Sequence, residues 1–158
     1  MMKNLIARPY TVSDFNGCLA IFDSNVPTFF AAGEREEFCD FLLGKSDVEG
    51  FYLVLTLSED IIACGGLTID AKKRQASLSW GMVSSEMHRK GIGTYLFKAR
   101  LEQARHLRNI DELVLSTSQH SSGFYERLGF RVLKIMPNGF GPGLDCWEMT
   151  LRWEVLSR

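Results

Sequence analysis

His88-Arg89-Lys90-Gly91-Ile92-Gly93-Thr94 stands between an apolar run, Ala76 to Val83, and a long segment in which apolar residues recur at helical spacing. The connection reads as strand, short loop, helix. The first turn of a helix carries amide N–H groups with no intrahelical partner, and Gly91 and Gly93 bring no side chain to hold an anion away from them. The helix dipole favours negative charge at that end, and Arg89 and Lys90 place two cations at the rim. The stretch therefore reads as a phosphate cradle, with an ordinary glycine-bearing turn as the alternative that loop physics leaves open. A Walker loop is excluded, because no Lys-Ser or Lys-Thr pair follows a GxxxxG spacing. The dinucleotide fingerprint is excluded too, since it needs three glycines after the first strand of a βαβ unit.

Working outward, residues 91–107 form an expected helix with Ile92, Leu96, Phe97, Ala104 and Leu107 on one side and Thr94, Lys98, Glu102 and Arg105 opposite. Arg100 falls inside the apolar arc, where its stem is expected to bury and its charged head to escape. Residues 111–116 form the next strand, so that strand, helix and strand make a right-handed parallel crossover. Upstream, residues 50–57, 61–70 and 74–83 read as three strands joined by the turns Ser58-Glu59-Asp60 and Ala71-Lys72-Lys73, which makes an antiparallel meander. Gly65-Gly66 marks a bulge or a close backbone approach inside the middle strand.

The remaining elements follow the same logic. Residues 3–9 alternate and end at Pro9, suiting a short first strand, and Thr11-Val12-Ser13-Asp14 resembles a capping box that opens a helix carrying Phe15, Leu19 and Phe22. A second helix over 33–43 has Glu34, Glu36 and Glu37 in its first turn, as the dipole prefers, and Phe38, Phe41 and Leu42 as its apolar face. Between these helices, Phe29 and Phe30 either plug the end of the core or wall a binding site. Residues 130–136 form a strand, and Pro137-Asn138-Gly139-Phe140-Gly141-Pro142-Gly143 is expected to be a long loop before a last strand over 144–153. That length suits either a flap bearing Phe140 or a plain hairpin connection.

At 158 residues, with 46% hydrophobic content and a formal net charge of -1, the chain suits one domain around a single core. So balanced a charge creates no global field for nucleic acid or acidic membranes. Cys18, Cys39, Cys64 and Cys146 are widely spaced, with no CxxC pair and no histidine at ligand spacing, so they read as buried thiols, with neither metal nor disulfide expected. No signal-type stretch opens the chain and no segment approaches the ~18 consecutive apolar residues of a membrane span, which points to a cytoplasmic location.

A second motif joins the first. Gly123-Phe124-Tyr125-Glu126-Arg127-Leu128-Gly129-Phe130 resembles the Phe-Tyr-Glu-x-x-Gly-Phe segment of the GNAT superfamily of N-acetyltransferases. His88 to Gly93 resembles motif A of that family, Gln/Arg-x-x-Gly-x-Gly/Ala, with His88 in place of the usual first residue. The resemblance spans residues 3–153. It implies an α/β (α+β) fold: one domain with a mixed, mostly antiparallel sheet of six to seven strands, splayed at its centre and flanked by helices. It also implies acetyl-CoA as co-substrate, with the pantetheine arm inserted like an added strand beside Gly81, Met82 and Val83. The pyrophosphate would lie on His88, Arg89, Lys90, Gly91, Ile92, Gly93 and Thr94, with Ser118 and Ser121 completing the cofactor set. Ser118 occupies a position where the family often has Asn. Tyr125 matches the family's general acid, its alternative being a core tyrosine. Phe29, Phe30 and Phe140 border the acceptor region.

The reaction so implied is transfer of acetyl to the primary amine of a small molecule or peptide in a ternary complex, with a homodimer possible within the family. No general base is assigned. His120 has a suitable ordinary pKa, but water relay serves equally, and His88 and His106 read as solvated groups flanking the helix. The rival reading is a non-catalytic acyl-CoA sensor. No dense acidic cluster of the kind a polycation requires marks the acceptor loops.

Overall fold

A computed structural model describes residues 4–45 and 47–156; the expected start of the first strand at Lys3 lies outside them. In chain order the elements are β1 (Leu5–Pro9), α1 (Phe15–Ser24), α2 (Arg35–Leu42), β2 (Glu49–Leu57), β3 (Asp60–Asp70), β4 (Gln75–Val83), α3 (Ile92–Ala104), β5 (Glu112–Thr117), α4 (Ser122–Arg127), β6 (Arg131–Gly141), β7 (Leu144–Arg152) and α5 (Trp153–Leu156). The strands form one seven-stranded sheet in the order β1-β2-β3-β4-β5-β7-β6. Every neighbouring pair is antiparallel except β4 and β5. Short turns join the antiparallel pairs β2–β3, β3–β4 and β6–β7, and the helical crossover through α3 makes β4 and β5 parallel.

α1 begins where the capping pattern places it, behind a short 3-10 turn over Val12–Asp14. The Asp14 carboxylate accepts the Thr11 N–H at 2.9 Å and both Arg8 guanidinium nitrogens at 2.8 Å, tying the helix start to β1. α1 buries Cys18, Ile21 and Phe22, α2 buries Phe38 and Leu42, and both pack on Val54, Cys64 and Met82 from one face of the sheet. α3 covers the other face, where Phe97 and Ala104 pack with Leu67, Leu113, Leu115, Phe130 and Met149. Truncating a core phenylalanine such as Phe22 or Phe38 would cost about 3–5 kcal/mol by cavity and transfer terms. None of the described helices is long and apolar enough to cross a membrane.

One expectation is corrected here. Residues 137–143 are not a loop: β6 runs on to Gly141, and Gly141 pairs with Leu144 across a turn at Pro142–Gly143. The register shifts between Met136 and Gly141. Side chains compensate the broken ladder, because Asp145 accepts the Asn138 N–H at 2.9 Å and Asn138 Oδ1 accepts the Gly143 N–H at 2.7 Å. Phe140 therefore sits on an irregular strand, half-buried.

Candidate active site

β4 and β5 pair over only three positions, Gln75 with Glu112, Ala76 with Leu113 and Ser77 with Val114. Beyond them the strands part, and from Leu78 to Val83 the backbone of β4 has no partner strand on that side among the described residues. The closed end is fastened by the Glu112 carboxylate, which accepts from Gln75 Nε2 and, at 2.8 Å, from Thr150 Oγ1. The open end begins at a bulge, where Cys64 faces Met82 but Gly66 faces Ser79, leaving both Trp80 and Gly81 opposite Gly65. Trp80 takes φ +46°, uncommon for a bulky residue. It is held there by Phe38 at 5.0 Å and by Phe30 at 6.2 Å between ring centroids, while its carbonyl accepts the Tyr52 hydroxyl at 2.7 Å. Aromatic packing beneath the sheet thus keeps the distortion that opens the gap.

The strand feeds the glycine loop directly. Arg89 and Gly91 have φ of +62° and +81°, curling the backbone so that α3 starts at Ile92. No side chain caps this helix and its first turn holds no acid, so the N–H groups of Ile92, Gly93 and Thr94 point out unpaired. A Cβ at Gly91 would meet nothing within 4 Å, which leaves open space over the cradle. At Gly93 a Cβ would lie 3.3 Å from Phe124 Cζ, so this glycine also lets α3 approach α4. Arg89 and Lys90 are exposed at the rim.

His88 is not the solvated flanking group expected. It is half-buried, and its Nε2–H donates to the Val83 carbonyl at 2.9 Å, an oxygen that also accepts from Asn25 Nδ2 at 2.9 Å. Phe29 lies edge-on to the His88 ring at 5.1 Å and to His120 at 6.0 Å, bridging the loops that follow β4 and β5. Phe30 belongs to the aromatic cluster around Trp80 and Phe22.

Across the gap, Ser118 is buried, its hydroxyl accepts the His120 N–H at 3.2 Å, and its carbonyl accepts from Ser121 and Ser122. Ser121 is the N-cap of α4. The side-chain amide of Gln119 grips the β6–β7 hairpin at two points, donating to the Gly143 carbonyl and accepting the Asp145 N–H, each at 2.9 Å. Nothing in the sequence singled out Gln119, because its role depends on a hairpin more than twenty residues away. Tyr125 packs edge-on to Phe124 at 5.0 Å and Phe130 at 5.7 Å, and its hydroxyl has no hydrogen-bond partner among the described residues.

Two groups near the gap carry shifted acidity. Burial pushes the Glu34 carboxyl up, against the Ala31 N–H that it accepts at 2.8 Å. Burial also pushes the Cys146 thiol up, opposed by a hydrogen bond from Ser116 and reinforced by the charges of Glu148 and Glu34. The α1–α2 connection and β7 thus bring carboxylates to the same side of the sheet. Arg100 departs from expectation: it is 2% exposed, so its head does not escape but lies against Gly65, Gly66 and Gly81.

Comparison with known proteins accords with this geometry. Among solved structures, the ribosomal-protein-alanine N-acetyltransferase of Brucella melitensis shares 19% identity over 93% of this chain and 99% of that one, with a TM-score of 0.70. The spermidine N-acetyltransferase SpeG of Vibrio cholerae shares 17% over 97% and 96%, at 0.74. The protein yncA of Salmonella typhimurium, solved with its cofactor acetyl-CoA, shares 17% over 95% and 94%, at 0.72. No match was found among curated protein sequences. At such identities these likenesses speak for the fold. Residues 17–130, however, match the sequence profile of the acetyltransferase (GNAT) family, which covers most of the chain and contains both the glycine loop and the Phe-Tyr-Glu segment, and the chain belongs to that family.

Proposed function

We propose that the protein is an N-acetyltransferase that moves the acetyl group of acetyl-CoA directly to a primary amine of a small molecule or peptide. The observation that carries this reading is the gap between β4 and β5, which opens onto an uncapped helix N-terminus. The backbone of β4 at Gly81, Met82 and Val83, which no strand flanks on the gap side among the described residues, suits the amides of pantetheine as an added strand would, with the Val83 carbonyl already taken by His88 and Asn25. The N–H groups of Ile92, Gly93 and Thr94, with Arg89 and Lys90 at the rim, suit the pyrophosphate, and Gly91 leaves that space clear. Ser118 and Ser121 line the far wall. The bound co-substrate supplies an activated acyl group.

The acceptor would enter from the face carrying Phe29, Glu34 and Cys146, with Phe140 at the hairpin. A primary amine of ordinary pKa near 10.4 requires about 4–5 kcal/mol to be presented neutral at pH 7, so a half-buried site that favours the uncharged form helps. The free hydroxyl of Tyr125 is the donor available to a departing thiolate. The spermidine and ribosomal-protein enzymes of the same fold act on amines, in keeping with this class of acceptor.

The test is a thermal-shift titration with acetyl-CoA and longer acyl-CoAs, followed by a panel of amines monitored for free thiol. Stabilisation by acetyl-CoA together with thiol release on at least one amine is expected. Stabilisation with no release on any amine would replace the enzyme by an acyl-CoA sensor, and no stabilisation at all would remove the cradle.

A further inference from the structure

Arg100 lies on the buried side of α3 and is the largest of the fully buried side chains. Its Nη1 donates to the Gly66 carbonyl at 3.3 Å, its Nε has no partner, and no carboxylate pairs with it among the described residues. The head is held where both strands lack side chains: a Cβ on Gly81 would stand 2.7 Å from Nη2, and one on Gly65 3.2 Å from Cζ. Two glycines, Gly65 and Gly81, thus leave a window at the bulge, and the guanidinium is seated in it, with the Gly66 carbonyl as its acceptor. Tyr52 on β2 and Cys64 on β3 are titratable side chains of the same part of the sheet. Burial holds the Tyr52 phenol well above its ordinary value, with the Arg100 charge opposing it.

A buried cation without a counter-charge is costly, and an apolar side chain of similar volume is often the more stable choice. The arc around it, Ile92, Leu96, Phe97 and Ala104, offers no packing reason for a charge. We infer that Arg100 is a positioning charge for acyl transfer, stabilising through the glycine-only backbone the negative charge that develops beside the bulge. This rests on the reading of the gap as an acyl-CoA site. An arm lying along β4 from the α3 cradle passes Gly81, the residue whose missing side chain makes room for the guanidinium. The amine lone pair forms a bond to the thioester carbon, the carbonyl π pair moves to oxygen, and that pair then re-forms the carbonyl as the C–S bond breaks. Sulfur leaves with the bonding electrons as a thiolate, which takes a proton while the amine loses one. Arg100 transfers no proton; it lowers the energy of the negative oxygen and sulfur, as preorganised charge does in a water-poor site.

The experiment compares wild type, R100K and R100M using CoA and desulfo-CoA, the latter lacking the thiol, in binding titrations across pH. CoA should gain on desulfo-CoA as the bound thiol ionises, and in R100M this gain should begin about one to two pH units higher than in wild type, with R100K between them. Turnover in R100M should fall on the order of a hundredfold with little change in KM for acetyl-CoA, and R100K should recover part of it. Superimposable pH profiles for wild type and R100M would overturn the inference while leaving the cradle intact. So would an R100M protein that fails to fold, because the charge would then be holding the core. Failure of CoA to bind wild type would instead bring down the acyl-CoA reading, and this inference with it.

Discussion

A hydroxyl with no partner among the described residues, on a ring otherwise fixed by packing, sets Tyr125 apart from the phenols of Tyr10 and Tyr52, which donate to the Leu42 and Trp80 carbonyls. Removing it should therefore leave fold and cofactor binding unchanged. In Tyr125→Phe, kcat should fall by roughly a hundredfold to ten-thousandfold with KM for acetyl-CoA unchanged. Steady-state kinetics across pH checks this, and a wild-type rate would mark Tyr125 as a packing residue. Asp14 makes a different case. The Arg8 guanidinium holds its carboxyl below the usual carboxylate range, so its contribution to stability is complete above the unfolded value near 3.9 and is lost as pH falls through the lower folded value. Asp14→Asn should lose about 1–2 kcal/mol at neutral pH, from cap and ion pair together, and the gap to wild type should close in acid. Denaturant titrations at pH 7 and pH 3 measure both quantities.

At the scale of elements, the start of α3 separates two uses of glycine. Gly91 has φ +81° and open space beyond its Cα, whereas Gly93 is pressed on Phe124. Asparagine tolerates the left-handed region, so Gly91→Asn should fold with a loss of about 1 kcal/mol or less while putting a side chain over the unpaired N–H groups. Gly93→Ala should instead move the Phe124 ring by a few tenths of an ångström while leaving the left-handed turn at Gly91 in place. The expected result is that Gly91→Asn weakens acetyl-CoA binding well beyond Arg89→Ala, which removes one exposed charge. Calorimetric titration beside thermal melts decides it, and equal affinities for wild type and Gly91→Asn would place the pyrophosphate elsewhere. Gln119 plays the corresponding part at the other end of the gap, clamping a hairpin whose own ladder is irregular.

Across the whole molecule, the two helical layers divide the work. α3 and α4 build one face and the motif ends, and α1 and α2 build the other and support Trp80 from below. The four cysteines record this layering: Cys18, Cys64 and Cys146 are buried and Cys39 is half-buried, all as free thiols. Cys39 should therefore react first with a thiol reagent in native protein, and all four should react after unfolding without reductant. Two missing thiols in the unfolded protein would reveal a bridge. A Cys39 that reacts no faster than the rest would show that opening of the fold controls access.

Local pattern was enough for most of this architecture. The meander, the crossover, the glycine loop before α3 and the Thr11–Asp14 helix start were legible because turn length, apolar period and capping chemistry act within a few residues. The Gly65-Gly66 signal was legible as a distortion, but its register, with Trp80 and Gly81 sharing one partner, depends on how β3 and β4 meet. Both strands of the β6–β7 hairpin were legible, but residues 137–143 read as a loop in sequence, because Asn138 and Asp145 supply missing bonds from seven residues apart. Arg100 was misread for a similar reason: periodicity puts it on the apolar arc, but only the glycines of two other strands create room for its head. What the sequence determined by itself is what neighbours along the chain decide, the elements, their order and the glycine loop that opens α3. What only the tertiary structure decided is the buried guanidinium, the clamped hairpin and the Phe29 bridge between two loops. Each of these is a contact between segments distant in sequence, whose free energy exists only once the sheet has brought them together.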